Sequence, residues 1–398
     1  MWSPPCDVKF ETARPTRTQA EQMALHNGDE PSFGVQQGAI LASYSPALYV
    51  PATKDKPDIW KTELPQSVNM SNSTQAPDHL PWDPNCIRFP LLKELPQLPN
   101  APEGAAWVWG KDDQLGRLNL LTPQRVKESA KDIQTGEMVR LDLPLNMPEK
   151  PAADREVFQH AIKTLIPDIA FDDTYTLNTQ SSTQWDGFRH CAHFQTKLFY
   201  NGASSSDFVG DASNLRCSIH HWANHGIAGR GILLDYRYYA LTHNKPYDPY
   251  TPYEITFSEL QAWGDIRIGD ILLVRSGYVE KYHAQSPAER YATATRSPEN
   301  LGFAGLSREE EMREWLHDCY FAGVAGDSPM FEAWPVQGMN HLHQSLLALW
   351  GVPIGEMWDL ERLAELCRKR GRWTFFLTSA PANVPGGVGS HANATAIL

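Results

Sequence analysis

This 398-residue chain contains no apolar run of the roughly 18 residues that a membrane helix needs, so a membrane-spanning helix is not expected. It has little positive charge. Its 35 Lys and Arg are outnumbered by 47 Asp and Glu, for a formal net charge of -12. No basic stripe interrupts that balance, which argues against tracking a phosphate backbone and so against a nucleic-acid partner. Cysteine is scarce: the six (Cys6, Cys86, Cys191, Cys217, Cys319 and Cys367) are scattered and none forms a CxxC pair. A zinc ribbon is therefore excluded, and reduced thiols in a cytoplasmic protein are the expectation. The first residues, MWSPPCDVKFETARP, lack the charged-then-apolar order of a secretory signal. No internal repeat is visible.

What is present is organised unevenly. Residues 1–86 are rich in Pro, Ser, Thr, Asn and Gln with weak periodicity, and read as an irregular extension. From Ile87 the pattern becomes that of a folded domain, 87–398. Thr122 and Pro123 open a helix as N-cap and first-turn proline. MVRLDLPL (138–145) reads as a strand, 214–225 as helical, and GILLDY (231–236) as a buried strand. PYEITFSELQAWG (252–264) ends in a short helix stopped by Gly264. DILLVRSGY (270–278) is an apolar, β-branched run typical of a buried strand. Ser307 and Glu310 have the spacing of a capping box for a helix through Leu316. YFAGVAGD (320–327) reads as a strand, helices are expected over 341–350 and 359–370, and two strands close the chain. Short strands mixed with helices give an α/β class. Thirteen tryptophans point to ring-lined pockets or simply to core.

The segment richest in chemistry is QSSTQWDGFRHCAHFQTKLFYNG, 180–202. Asp186 and His190 lie four apart. A carboxylate holds a divalent cation and a nearby imidazole moves a proton. Gln180 and Gln184 stand upstream. The segment resembles the signature His-x-Gly-Thr-His-x-Asp-x-x-x-His of the cyclase-like metal hydrolases, the superfamily of kynurenine formamidase and isatin hydrolase. Thr183, Asp186 and His190 match, whereas Gln180 and Gln184 replace the two leading histidines. That replacement resembles a fungal branch linked to secondary metabolism. KDDQLGRLNLLTP (111–123), HGIAGRGILLD (225–235), DILLVRSGY, GDSPMFEAWP (326–335), HQSLLALWGVPIGEMWDLERLAE (343–365) and GGVGSHANATAIL (386–398) are similar to family segments in the same order.

The resemblance implies the swivelling β/β/α cyclase-like domain, a mixed sheet with flanking helices, assembled as a homodimer or higher homo-oligomer. It implies Asp186, His343 and Glu356 as metal ligands with Gln184 as a weak fourth. His190 becomes the proton relay, with Glu356 and Asp186 as catalytic partners. A glutamine carbonyl is a poorer ligand than imidazole for zinc or manganese, so one of two family metal sites should be lost. Two arrangements remain open: a single Mn2+ or Zn2+, or a metal-free pocket in which Asp186, His190 and Glu356 do acid–base work while Gln180 and Gln184 bind substrate. The leading segment implies Trp107 and Trp109 in the pocket lining, and the FYNG turn implies Tyr200 and Asn201 at its rim. His341 reads as a bystander on another helix face, and Arg275 first as an internal salt bridge.

The expected activity is hydrolysis or cyclisation at a C–N or C–O bond, an amide or lactone, in a small cyclic metabolite. The rival readings are a metal-free lyase, isomerase or cyclase on a polyketide-like substrate, and a catalytically silent small-molecule binder.

Overall fold

Apolar runs and alternating segments become strands, and the runs lie innermost. The computed structural model describes residues 80–398, apart from 211–212, 261–264, 298–299 and 337. The described strands are β1 (Met138–Arg140), β2 (Gln159–Ile166), β3 (Ala170–Thr176), β4 (Gln184–Asp186), β5 (Ile227–Leu234), β6 (Glu254–Ile255) and β7 (Ile271–Val274). They continue with β8 (Gly305–Leu306), β9 (Gly323–Gly326), β10 (Ile354–Glu356), β11 (Thr374–Ser379), β12 (Gly389–His391) and β13 (Ala394–Ile397). Nine of them form one sheet in the order β1-β13-β11-β5-β7-β9-β10-β4-β12. The middle four, β5 to β10 in that order, run parallel. Antiparallel strands flank them on both sides. Every residue of β7 and β9 is buried, as parallel strands covered on both faces require. Helices flank this mixed sheet, so the fold is the α/β arrangement that the resemblance implied.

Several local expectations need adjustment. The helix after Thr122 spans Pro123–Ser129, with the Thr122 hydroxyl accepting from the Arg125 N–H. The strand within GILLDY begins earlier, at Ile227, and Tyr236 already opens the next helix, Tyr236–Thr242, capped by Asp235. Ser307 does not cap the helix Glu310–Asp318. Glu309 is the N-cap, and the Ser307 hydroxyl donates to its carboxylate at 2.9 Å. The helix expected over 341–350 is a π-helix, Gln344–Trp350. Gly264, the expected stop of the helix that starts at Phe257, lies outside the described residues, as do residues 1–79 of the expected extension. Trp82 and Cys86, on the extension side of the expected boundary, are buried in the core. The β2–β3 hairpin, which sequence reading passed over, is solvent-exposed along nearly its whole length.

Tryptophan is used mainly as core. Trp185, Trp222, Trp350 and Trp358 are essentially inaccessible. Arg275 makes the internal salt bridge expected of it, to Asp235 at 2.8 Å and Glu361 at 2.7 Å. No described helix is long and apolar enough to cross a membrane.

One buried histidine has a stability consequence. His317 is fully buried against the rings of Tyr320 and Trp350, with Nδ1 2.8 Å from an Asp318 carboxylate oxygen. Burial pulls its pKa from 6.5 down to about 4, despite the hydrogen bond to Asp318. A histidine depressed in the folded state binds fewer protons than its unfolded counterpart between those two values. Its contribution is therefore intact above pH 6.5 and is lost as pH falls toward 4, on the order of 3 kcal/mol. His317→Asn should flatten the fall in melting temperature over that window; parallel curves for the two proteins would refute this role.

Candidate active site

The short strand β4 sets the site. It lies between β10 and β12, so both edges are paired. Alternation along a strand sends Gln184 and Asp186 to one face and Trp185 to the other. Trp185 packs edge-on against Trp358, with ring centroids 5.0 Å apart, and its indole donates to the Ser379 hydroxyl. Register then places Glu356 of β10 directly opposite Gln184. The chain turns after Asp186, where the His190 N–H reaches the Gly187 carbonyl at 2.9 Å. Gly187 must be glycine because an added Cβ would sit 2.2 Å from the Val388 oxygen. Arg189 fixes the loop by donating to three carbonyls, those of Arg216, Gly386 and Asn214.

His343 arrives from a different direction, at the N-terminal end of the π-helix. The far end of that helix is clamped. Gly351 adopts φ +65, its carbonyl accepts from the Arg117 N–H at 2.7 Å, and a Cβ there would collide with the Tyr200 ring. This explains Tyr200, which packs on Phe188 and donates to the Asp113 carboxylate at 2.7 Å. Asn201 donates to the Gly110, Lys111 and Asp113 carbonyls. The Trp107 indole donates to the Ala348 carbonyl, and Trp109 packs on Phe89. These four residues hold the leading segment against the helix, and none lines the cavity described below. Trp107, Tyr200 and Asn201 spend their polar atoms on bracing the scaffold, whereas the buried Trp109 Nε1 has no hydrogen-bond partner.

The structure brings Asp186, His190 and His343 together, each offering one ligand atom within 4.8 Å of the others. His343 Nε2 is 3.6 Å from Asp186 Oδ2 and 3.1 Å from Glu356 Oε1. His190 Nε2 is 4.0 Å from Asp186 Oδ2, and the His190 side chain keeps 26% of its accessibility. Glu356 is already well supplied with donors: Gln184 Nε2 at 3.1 Å, the Phe331 N–H at 3.1 Å and His343. Gln184 also donates to Gln180 Oε1 at 3.4 Å. Asp186 is the opposite case, since it is fully buried and neither carboxylate oxygen has a hydrogen-bond partner; Gln184 Oε1 is likewise unpartnered.

Sequence reading missed Glu332. It is fully buried, and its carboxylate sits 2.7 Å from His343 Nδ1. The one available signal was a lone acid inside the apolar stretch MFEAW. The His341 ring is 3.8 Å from the same carboxylate and packs on Phe194.

The electrostatics follow from burial. Removal from water pulls the His343 imidazolium down, but the Glu332 charge and the nearby carboxylates of Asp186, Glu332 and Glu356 hold its pKa well above the ordinary value. Burial, reinforced by the Asp186 charge, pushes Glu356 up to about 7. For Asp186 the burial effect is outweighed by His190 and His343, which keep it below the usual carboxylate range. Burial lowers His190, partly offset by Asp186, so it is neutral at pH 7.

A cavity of about 310 Å³ has Gln180 and Gln184 in its lining. Gln184 thus touches both the cavity and the acid cluster. Tyr250, Tyr278, Tyr282 and Phe303 supply ring walls, and Arg155 is part of the lining. None of these was singled out from sequence, because their convergence depends on segments far apart in the chain.

The donor set suits a divalent cation. Asp186 makes no hydrogen bond and is met only by the His343 ring at 3.6 Å and the His190 ring at 4.0 Å, which leaves its oxygens open to an ion. Asp186, with the ring nitrogens of His343 and His190 and the oxygen of Gln184, provides oxygen and nitrogen ligands of the kind zinc and manganese take.

Comparisons with known proteins agree with this architecture. The family model described as "Putative cyclase" matches residues 102–333. No curated protein matches the chain. A crystal structure of a novel cyclase is 29% identical, covers 74% of this chain and 99% of its own, and has a TM-score of 0.65. An isatin hydrolase bound to the product analogue thioisatinate is 16% identical, over 66% of this chain and 92% of that one, with a TM-score of 0.47. Isatin hydrolase A from Labrenzia aggregata, bound to benzyl benzoate, is 15% identical over 65% and 93%, with a TM-score of 0.44.

Proposed function

This chain belongs to the cyclase family, and we propose that it is an enzyme that opens or closes a C–N or C–O bond, an amide or lactone, in a small cyclic metabolite. One observation carries the reading: Asp186, buried with neither oxygen hydrogen-bonded, faces two imidazoles, and Gln184 beside that cluster also lines a ring-walled cavity.

Asp186 and His343 would hold a single Zn2+ or Mn2+, with Gln184 Oε1, which has no hydrogen-bond partner, as the neutral oxygen ligand. Such an ion, when bound, polarises a carbonyl and lowers the pKa of its water from 15.7 to roughly 7. Holding it at His343 Nε2 requires that nitrogen to lose its proton, so binding should weaken as pH falls. His190 is neutral at pH 7 and the more accessible imidazole, which suits a general base. It takes a proton from the attacking water as the C–O bond forms. It then returns that proton to the nitrogen or oxygen that leaves as the ring bond breaks. Cyclisation runs the same transfers backwards and releases water. Asp186 steadies the imidazolium formed between the two transfers.

Glu356 favours a second, metal-free reading. Its pKa of about 7 suits proton transfer, and the Gln184 amide holds its carboxylate in place. Metal analysis separates the two. Protein purified without chelator should carry about one equivalent of zinc or manganese, and Asp186→Ala should carry almost none. A variant that keeps its metal removes Asp186 from the ligand set, and a metal-free wild type leaves the acid–base reading.

A further inference from the structure

The cavity wall runs against the charge of the whole protein. The chain has a net charge of -12, yet its charged lining residues are Lys150, Arg155 and Arg290 against Glu149 alone. Arg290 is accounted for: it lies 3.2 Å from Glu149 and stacks over Tyr282. Arg155 is not. One of its five N–H donors reaches the Gln180 carbonyl at 2.6 Å, and among the described residues no carboxylate forms an ion pair with it. That bond ties the guanidinium to the backbone of Gln180, a residue of the cavity lining.

The rest of the wall is aromatic. Tyr250 and Tyr278 have ring centroids 4.6 Å apart, and Tyr278 meets Phe303 edge-on at 5.7 Å. The Tyr250 and Tyr282 hydroxyls are engaged by Gln285 and Glu149, so these residues offer ring surface rather than free hydroxyls. Ring surfaces at this spacing favour a flat π system. An aromatic wall also suits an organic cation, but three basic side chains in the same lining oppose one. The Arg155 charge is felt by buried Asp186, but no carboxylate among the described residues is in ion-pair contact with the guanidinium, and its planar fork of donors matches an acidic oxygen pair.

Resting on the hydrolase or cyclase reading above, we propose that the substrate is a flat aromatic molecule bearing an acidic oxygen group, and that Arg155 binds that group. The cavity then orients the molecule from two ends. The rings sit among the tyrosines, the acid faces Arg155, and the bond to be cleaved or formed lies toward Gln184, which contacts Glu356 of the acid cluster.

The test uses 2-naphthoate and its neutral twin 2-naphthamide, with binding to the full chain followed by calorimetry. The acid should bind about 10–100-fold more tightly than the amide. Arg155→Met should abolish that preference, Arg155→Lys should keep part of it, and His190→Ala should keep all of it. Equal binding of the two probes to wild type, or a preference that survives in Arg155→Met, overturns the proposal, and the wild-type comparison needs no variant to fold. Turnover of neutral lactones without any acid preference would defeat this inference while leaving the activity in place. An acid preference without turnover of any amide or lactone would support Arg155 and count against the activity.

Discussion

His190→Ala is expected to lower turnover about 10²–10⁴-fold with the fold intact, the usual contribution of a positioned general base. The geometry gives the reason. His190 is held by a turn whose Arg189 is fixed to three carbonyls, so the ring is placed by the scaffold rather than by substrate. Burial depresses its pKa, so it is a free base at neutral pH. Activity should therefore fall on the acid side as the ring protonates, below its ordinary value of 6.5. The variant should lose that acid limb along with the rate. The measurement is kcat and KM against pH on the amide or lactone that the wild type turns over. Unchanged kcat, or an acid limb that persists, would take the proton relay away from His190.

His343→Leu should be the most damaging change to stability. It leaves Glu332, Glu356 and Asp186 in one buried cluster without their imidazolium. Removing one member of a buried ion pair typically costs 3–5 kcal/mol, and about that loss is expected at pH 7.5 in chelator. The pH dependence has a definite sign. In wild type, His343 is raised in the folded state, so its stabilisation is complete below its unfolded pKa near 6.5 and persists through neutrality until pH passes the folded value. In the variant, the three carboxyls are left with folded pKa values above their unfolded ones. Their proton uptake then favours the folded state at low pH, and the deficit should shrink as pH is lowered toward 5. Urea midpoints for both proteins across that range provide the check. A deficit that is constant with pH would mean that charge does not govern the cluster.

The family and the α/β class were legible because they rest on local patterns. Ordered segments such as KDDQLGRLNLLTP and DILLVRSGY survive as recognisable strings, and a buried parallel strand is written as a continuous apolar run. Asp186 and His190 were legible together because four residues and one turn separate them. Glu332 was not, because a single acid among apolar residues looks the same whether it is exposed or facing a histidine. Tyr200 and Asn201 were placed at the substrate by their closeness to the motif in sequence. In three dimensions they brace Gly351 and the leading segment.

The sequence by itself determined which side chains able to carry this chemistry exist and which scaffold they hang on, since periodicity and motif order are properties of the chain read along its length. Only the tertiary structure decided which of them meet. The pairing of β4 with β10 sets Glu356 against Gln184, and the π-helix delivers His343 to Asp186. Those encounters depend on register and burial between segments more than a hundred residues apart, and no local pattern encodes them.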